Sequence, residues 1–338
     1  MPPTADVAVF CSEKRLVTLA LGVVAMGCME TRDLGSTVPH GQLPVDERNP
    51  ILLLNDGPDD NWQGEYAVLL ANSGGPALAG IVVNTSPGRQ DLDANIAGWR
   101  GLVAAARASG LRDIPDPTAS VGPALVRPAN GQIDDTAPNR SEGARLIVET
   151  SARLGLSYRP LVVVTGGRLT DVADAYFVDR TVTDRVVVVS SIGSTTASGG
   201  AMAAPNGEMD PWADAIVTAR FRYVQVSAFY DQLTDVPTAR LSELPANEFG
   251  AWIAAKQPKI WDLPVAADQV GVVAVGIPSF AAAVECVSAS GLVGADATAG
   301  PDLVATPDGA SWLVTQSVGA DATARFWQLL LDPKTYGR

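Results

Sequence analysis

One histidine, three cysteines and 18% charged residues stand in a chain of 338, and each shortage removes a class of chemistry. A Ser-His-Asp or Cys-His engine needs an imidazole base beside its nucleophile. The single candidate, His40, lies in a Thr/Pro/Gly-rich stretch ahead of the first strand-like run. Zinc motifs built on pairs of His and Cys are absent. Cys11, Cys28 and Cys286 are too few and too scattered for a disulfide framework. Cys286, in FAAAVECVSASG, has no basic neighbour to lower its pKa and reads as a small buried hydrophobe. With 24 Lys+Arg against 37 Asp+Glu the formal net charge is -13. That field repels phosphate backbones, no basic stripe interrupts it, and nucleic acid is not an expected partner.

What is present is a large apolar fraction, 47% of residues, enough for a globular domain with a substantial core. At the N-terminus Lys14-Arg15 precedes LVTLALGVVAMG, twelve residues long, and then Cys28. The run is short for a membrane span and has the layout of a signal peptide. Gly27-Cys28 resembles the end of a bacterial lipoprotein signal, which implies lipidation of Cys28, although Ala25 and Met26 depart from the usual pair before it. The expected organisation is a signal over 1–28, a polar tether over 29–48 and one globular domain over 49–338, exported and attached to the cell envelope. A cytoplasmic protein with a buried N-terminal segment is the other reading.

From Asn49 onward apolar runs alternate with amphipathic stretches. NPILLLND, ALAGIVVNTS, RPLVVVTGG and DRVVVVSSIG read as buried strands. EYAVLLANSG, IAGWRGLVAAARASG and TDVADAYFVDR read as helices, with Gly110 as a C′ stop. LVATP and SWLVTQSVG read as two further short strands before a closing helix, ARFWQLLLDP. The pattern predicts an α/β fold, an open, mostly parallel sheet flanked by helices.

In such sheets ligands bind beyond the carboxyl ends of the strands. The first strand runs into Asn55-Asp56-Gly57-Pro58-Asp59-Asp60-Asn61, three carboxylates on a tight loop. They repel one another unless donors or a cation neutralise them, and the plainer reading is a solvated acidic turn. RPLVVV runs into Thr165-Gly166-Gly167, whose glycines leave the Thr165 carbonyl free to face the same crevice, and Asp268 precedes a late apolar segment. Carboxylates and carbonyls together suit a hard cation such as Ca2+.

The acidic loop, TGGRLTDVA, GEMDPWADAIV and the late DQV, in this order and spacing, resemble the inosine-uridine-preferring nucleoside hydrolases from about Asn49 to Ala274. The corresponding family patterns are DTDPGxDDA, TGGLTNIA or GPLTNIA, EFNxxxDPEAA and HDPLA. The resemblance implies Asp56 and Asp60 as metal ligands, with Asp59 and Asp60 as the pair supplying a ligand and the base for water. It further implies the Thr165 carbonyl and Asp268 as calcium ligands, and Asn206, Glu208 and Asp210 as groups gripping ribose. A second register pairs Asp60 with Glu65 and puts Gly64 where the base belongs. Ala267 stands where the family has a histidine that in some members protonates the leaving base. Trp62, Trp99 and Trp212 lie near the matched segments, and either stack on a flat base or sit in the core.

Three functions remain open at this level. The first is a calcium-dependent hydrolase of N-glycosidic bonds in a nucleoside or related N-riboside. The second is a non-catalytic nucleoside- or sugar-binding lipoprotein that keeps the metal cup. The third is an interaction protein whose acids merely solvate loops. A homo-oligomer is compatible with each.

Overall fold

The computed structural model describes residues 43, 45–58, 62–86, 89–191, 209–226, 238–261, 284–287, 311–314 and 319–336. The valine- and leucine-rich runs form strands β1 (Ile51–Asn55), β2 (Leu78–Val83), β4 (Leu161–Thr165) and β5 (Val186–Ser191). They are joined by β3 (Pro117–Ala119), β6 (Arg222–Val226), β7 (Val284–Val287) and β8 (Ser311–Val314). Among the described residues these make one sheet in the order β3-β2-β1-β4-β5-β6-β8-β7, with β7 antiparallel to β8 and every other pair parallel.

Strand alternation sends each run to two cores. Ile51, Leu53, Ile81, Val83, Val162, Val164, Val187 and Val189 face one layer, with α1 (Gln63–Asn72), α2 (Leu92–Ala108), α7 (Glu248–Trp261) and α8 (Gly319–Leu331). Leu52, Leu54, Val82, Val163, Val186 and Val188 face the other, with α3 (Glu142–Leu154), α4 (Thr170–Val178), α5 (Val182–Arg185) and α6 (Pro211–Arg220). Because both faces are covered, the strands need no polar alternation, which is why they read as continuous apolar runs.

Helix boundaries follow from local chemistry. Asp91, Ser141 and Asp210 cap α2, α3 and α6 by accepting from Ala94 N (3.0 Å), Ala144 N (3.1 Å) and Ala213 N (3.0 Å). Gly110, at φ 92°, ends α2 in a Schellman motif, Leu111 N donating to the Ala106 carbonyl at 3.1 Å. Leu43 and Val45, each 7% exposed, pack into the first core. The folded part therefore reaches back at least to Leu43, earlier than the expected boundary at residue 49. The run LVATP lies outside the described residues, whereas SWLV and the closing helix are present as β8 and α8.

Candidate functional site

The strand order reverses direction between β1 and β4, so the crevice at their carboxyl ends is the topological switch point. Polar side chains gather along that edge: Asn55 ending β1 and Asp56 after it, Asn84 after β2, Ser120 after β3, Thr165 ending β4 and Ser190 in β5. All are at most 3% exposed. β1 and β4 run in parallel register with Leu54 opposite Thr165. Gly166 N donates to the Leu54 carbonyl at 2.8 Å, which brings the turn after β4 against the start of the acidic loop.

The first part of that loop is held from α2. Trp99 Nε1 donates to the Asp56 carbonyl at 3.0 Å, and Pro58 packs on Gly98, where an added Cβ would lie 3.0 Å from its Cδ. The Asp56 carboxylate accepts from Gly57 N at 2.7 Å. On the far side of the loop, Gln63 Oε1 accepts from Asn55 Nδ2 at 2.6 Å, tying the start of α1 to the end of β1.

Beside this lies a buried carboxylate hub that the motif reading did not single out. Asp171, in the first turn of α4, accepts from the Ser120 hydroxyl, from Ser141 Oγ at 2.8 Å and from Asn84 Nδ2 at 3.4 Å. Burial pushes its carboxyl up, opposed by those donors and by the Arg168 guanidinium. Asn84 also donates Nδ2 to the Arg168 carbonyl at 3.1 Å, while its Oδ1 has no partner among the described residues. That oxygen rests against Gly167, whose added Cβ would meet it at 2.3 Å. Asn84 follows GIVV directly, so inspecting the residue after every apolar run would have found it.

The expected site residues divide. Asp56, just after β1, and Thr165, the last residue of β4, lie at the carboxyl ends of neighbouring strands. Asp59, Asp60, Asn206, Glu208, Ala267, Asp268, Cys28 and His40 lie outside the described residues. Asp210 is engaged by groups within the protein. Its Oδ1 caps α6, and its Oδ2 accepts from Leu125 N at 2.8 Å and Thr170 Oγ1 at 2.7 Å, so three internal donors already occupy it. Trp212 is likewise a core residue, 4% exposed, with Nε1 donating to Thr136 Oγ1 at 2.9 Å. The Arg127 guanidinium, 5.2 Å from the Trp212 ring centroid, covers a face that base stacking would need. Trp62 and Trp99 are also buried in the first core. Glu65, the carboxylate of the second register, points into the helical layer, where Lys256 Nζ donates to it at 2.6 Å.

The donor types at the switch point are those of a hard cation, a carboxylate at Asp56 and a main-chain carbonyl at Thr165. The Thr165 hydroxyl is buried with no partner among the described residues. The described residues alone contain no group of three His, Cys, Asp or Glu side chains able to hold a metal ion. A complete cup at this point therefore calls on the acids that follow Pro58 or on Asp268.

No family model matches the chain, and no curated protein matches it in sequence. Solved structures do match in fold. An inosine-uridine preferring nucleoside hydrolase from Bacillus anthracis superposes with a TM-score of 0.54 at 16% identity, covering 84% of this chain and 99% of that one. A plant nucleoside hydrolase gives 0.53 at 17% identity, over 85% and 99%. A purine-preferring ribonucleoside hydrolase from Gardnerella vaginalis gives 0.52 at 16%, over 84% and 98%. The architecture is the one these proteins share.

Proposed function

We propose that this chain, built on the nucleoside hydrolase fold, hydrolyses the N-glycosidic bond of a nucleoside or related N-riboside at the β1/β4 crevice, with calcium as its cofactor. The observation that carries the reading is the placement of Asp56 and Thr165 at the carboxyl ends of the adjacent strands β1 and β4, at the switch point of the sheet. The nucleoside hydrolases named above, matched over nearly their whole length, support it.

Asp56, Asp60, Asp268 and the Thr165 carbonyl would hold the ion. When bound, calcium supplies a charge that lowers the pKa of a coordinated water and fixes ribose hydroxyls. Asp59 or Asp60 takes the proton of the attacking water on a carboxylate oxygen. Asn206 and Glu208 bind the sugar, and the Glu208 carboxylate stabilises the positive charge that develops at the anomeric carbon. With Ala267 in place of a histidine, the imidazole that protonates the departing base in some members of the resembled family is missing from its position. Substrates whose base leaves easily are therefore expected to turn over fastest.

Export with a lipid on Cys28 is part of the same proposal. The chain enters β1 at Ile51, and the crevice lies at the strand's other end beyond Asn55.

The deciding experiment is calorimetric titration of the protein with calcium alone, beside Asp56→Ala and Asp268→Ala, followed by assay of base release from a nucleoside panel. Stoichiometric binding lost in both variants, with turnover lost in parallel, is the expected result. Binding of nucleoside without turnover would convert the reading to a binding protein. Absence of calcium binding in the parent would sink the metal-assisted mechanism.

A further inference from the structure

One buried charge pair near the site has no part in the chemistry just described. Glu65, in the first turn of α1, is wholly buried, and its Oε1 accepts from Lys256 Nζ at 2.6 Å and from Trp252 Nε1 at 2.9 Å, both on α7. The Lys256 side chain is 3% exposed. The same ammonium lies 5.0 Å from the centroid of the Trp62 ring, within the range of a cation–π contact. Trp62 is the residue immediately before α1 and the first described residue after the acidic loop. A single buried cation thus touches both residues that bracket the passage from loop to helix.

Stability alone is a poor reason for this arrangement. A buried ion pair loses much of its mutual attraction to desolvation, and a well-packed apolar pair of similar volume is often as stable or more so. The pair is also incompletely satisfied, since Glu65 Oε2 is buried with no partner among the described residues. An apolar pair cannot supply direction. An ammonium held 2.6 Å from a carboxylate oxygen and 5.0 Å from a ring centroid fixes the rotation and entry angle of the first turn of α1.

We propose that Lys256 is a positioning residue, which sets the start of α1 through Glu65 and Trp62 and so fixes the point at which the chain enters that helix from the acidic loop. What the loop then does rests on the function proposed above. The positioning itself does not, and it is measurable without metal or substrate.

The test uses Lys256→Met combined with Glu65→Leu, which removes both charges and leaves neither orphaned. Backbone amide exchange is followed on the metal-free protein alongside thermal unfolding. The expected result is an unfolding temperature within a few degrees of the parent, at least tenfold faster exchange over residues 56–66, and unchanged exchange in β5. Exchange over 56–66 equal to the parent overturns the proposal. If the double variant does not fold, Lys256→Gln carries the same test, because it keeps a donor for Glu65 and loses the cation over Trp62. Lys256→Arg is expected to restore protection, and equal loosening in that variant also overturns the proposal. In a parent that binds calcium, the double variant should bind calcium alone at least tenfold more weakly. Unchanged affinity with a loosened segment would overturn the link to the acidic loop. A parent that binds no calcium defeats the proposed function instead and leaves the exchange result to decide this inference.

Discussion

The indole of Trp99, on α2, donates its Nε1 proton to the main-chain carbonyl of Asp56 at 3.0 Å, so a helix on one face of the sheet holds the point where β1 ends and the acidic loop begins. The ring is wholly buried and also fills the space above Gly64, where an added Cβ would lie 2.6 Å from it. One side chain therefore contacts both the chain leaving β1 and the first turn of α1.

Trp99→Phe removes the donor and part of the ring while leaving the Asp56 carbonyl buried. A lost hydrogen bond to a buried carbonyl and a small void together cost about 2–4 kcal/mol. Denaturant unfolding should show that loss as a lower midpoint with little change in slope. A midpoint equal to the parent's would mean the contact is dispensable.

Gly167 is confined by Asn84. Gly167→Ala would bring a methyl to 2.3 Å from Asn84 Oδ1, and Asn84 is itself held by Arg168, Asp171 and the β1 backbone. The expected cost is about 1–3 kcal/mol, as for other overpacked sites. On the proposed function, calcium affinity should fall as well, because the turn carrying Thr165 must shift. Gly167→Ala with parent stability would show that Asn84 has room to yield.

The four long apolar runs were legible because parallel strands covered on both faces leave an uninterrupted hydrophobic signature. Ile51–Asn55 and Leu161–Thr165 emerged as strands from that signature, and Gly110 marked its helix end because a left-handed C′ position favours glycine. Strand β3 is three residues that begin with Pro117, too short for any period to show. Position along the chain also brought Asp56 and Thr165 to one crevice, since strand ends in this fold converge. Spacing could not tell which polar groups at that edge are already occupied. Asp210 matches a sugar-binding motif by sequence, yet Leu125, 85 residues away, and Thr170, 40 away, consume its oxygens. Trp212 is claimed in the same way by Thr136 and Arg127. Such long-range partners leave no local trace.

Asp210→Ala separates the two readings of that residue. Loss of a helix cap costs about 1 kcal/mol, and leaving the buried Leu125 N–H without an acceptor adds about 1–3 kcal/mol. Thermal unfolding of the variant should fall by several degrees in the absence of any ligand. An unfolding temperature like the parent's, with only ligand affinity reduced, would restore Asp210 to the sugar site.

Asp171 predicts the sign of an acid response. Burial raises its carboxyl above the ordinary value of 3.8, despite Ser120, Ser141, Asn84 and Arg168, which all favour the anion. The native state therefore binds this proton more tightly than the unfolded chain does. As pH falls through the raised native value toward the ordinary carboxylate range, the native state takes up a proton that the unfolded chain does not yet hold, and this group's contribution to stability increases. Above that window the cost of the buried anion is fully present, and below it the cost is gone. Asp171→Asn removes the titration while keeping an acceptor for one serine. The stability of the parent relative to this variant should thus improve on acidification across the window, even where total stability declines through the salt-bridged Asp46 and Asp179, whose carboxyls are lowered by Arg48 for the first and by Thr181 and Arg185 for the second. The check is denaturant unfolding of both proteins at a series of pH values. A difference between them that does not change with pH would show that Asp171 titrates alike folded and unfolded, and that its hydrogen bonds offset its burial in full.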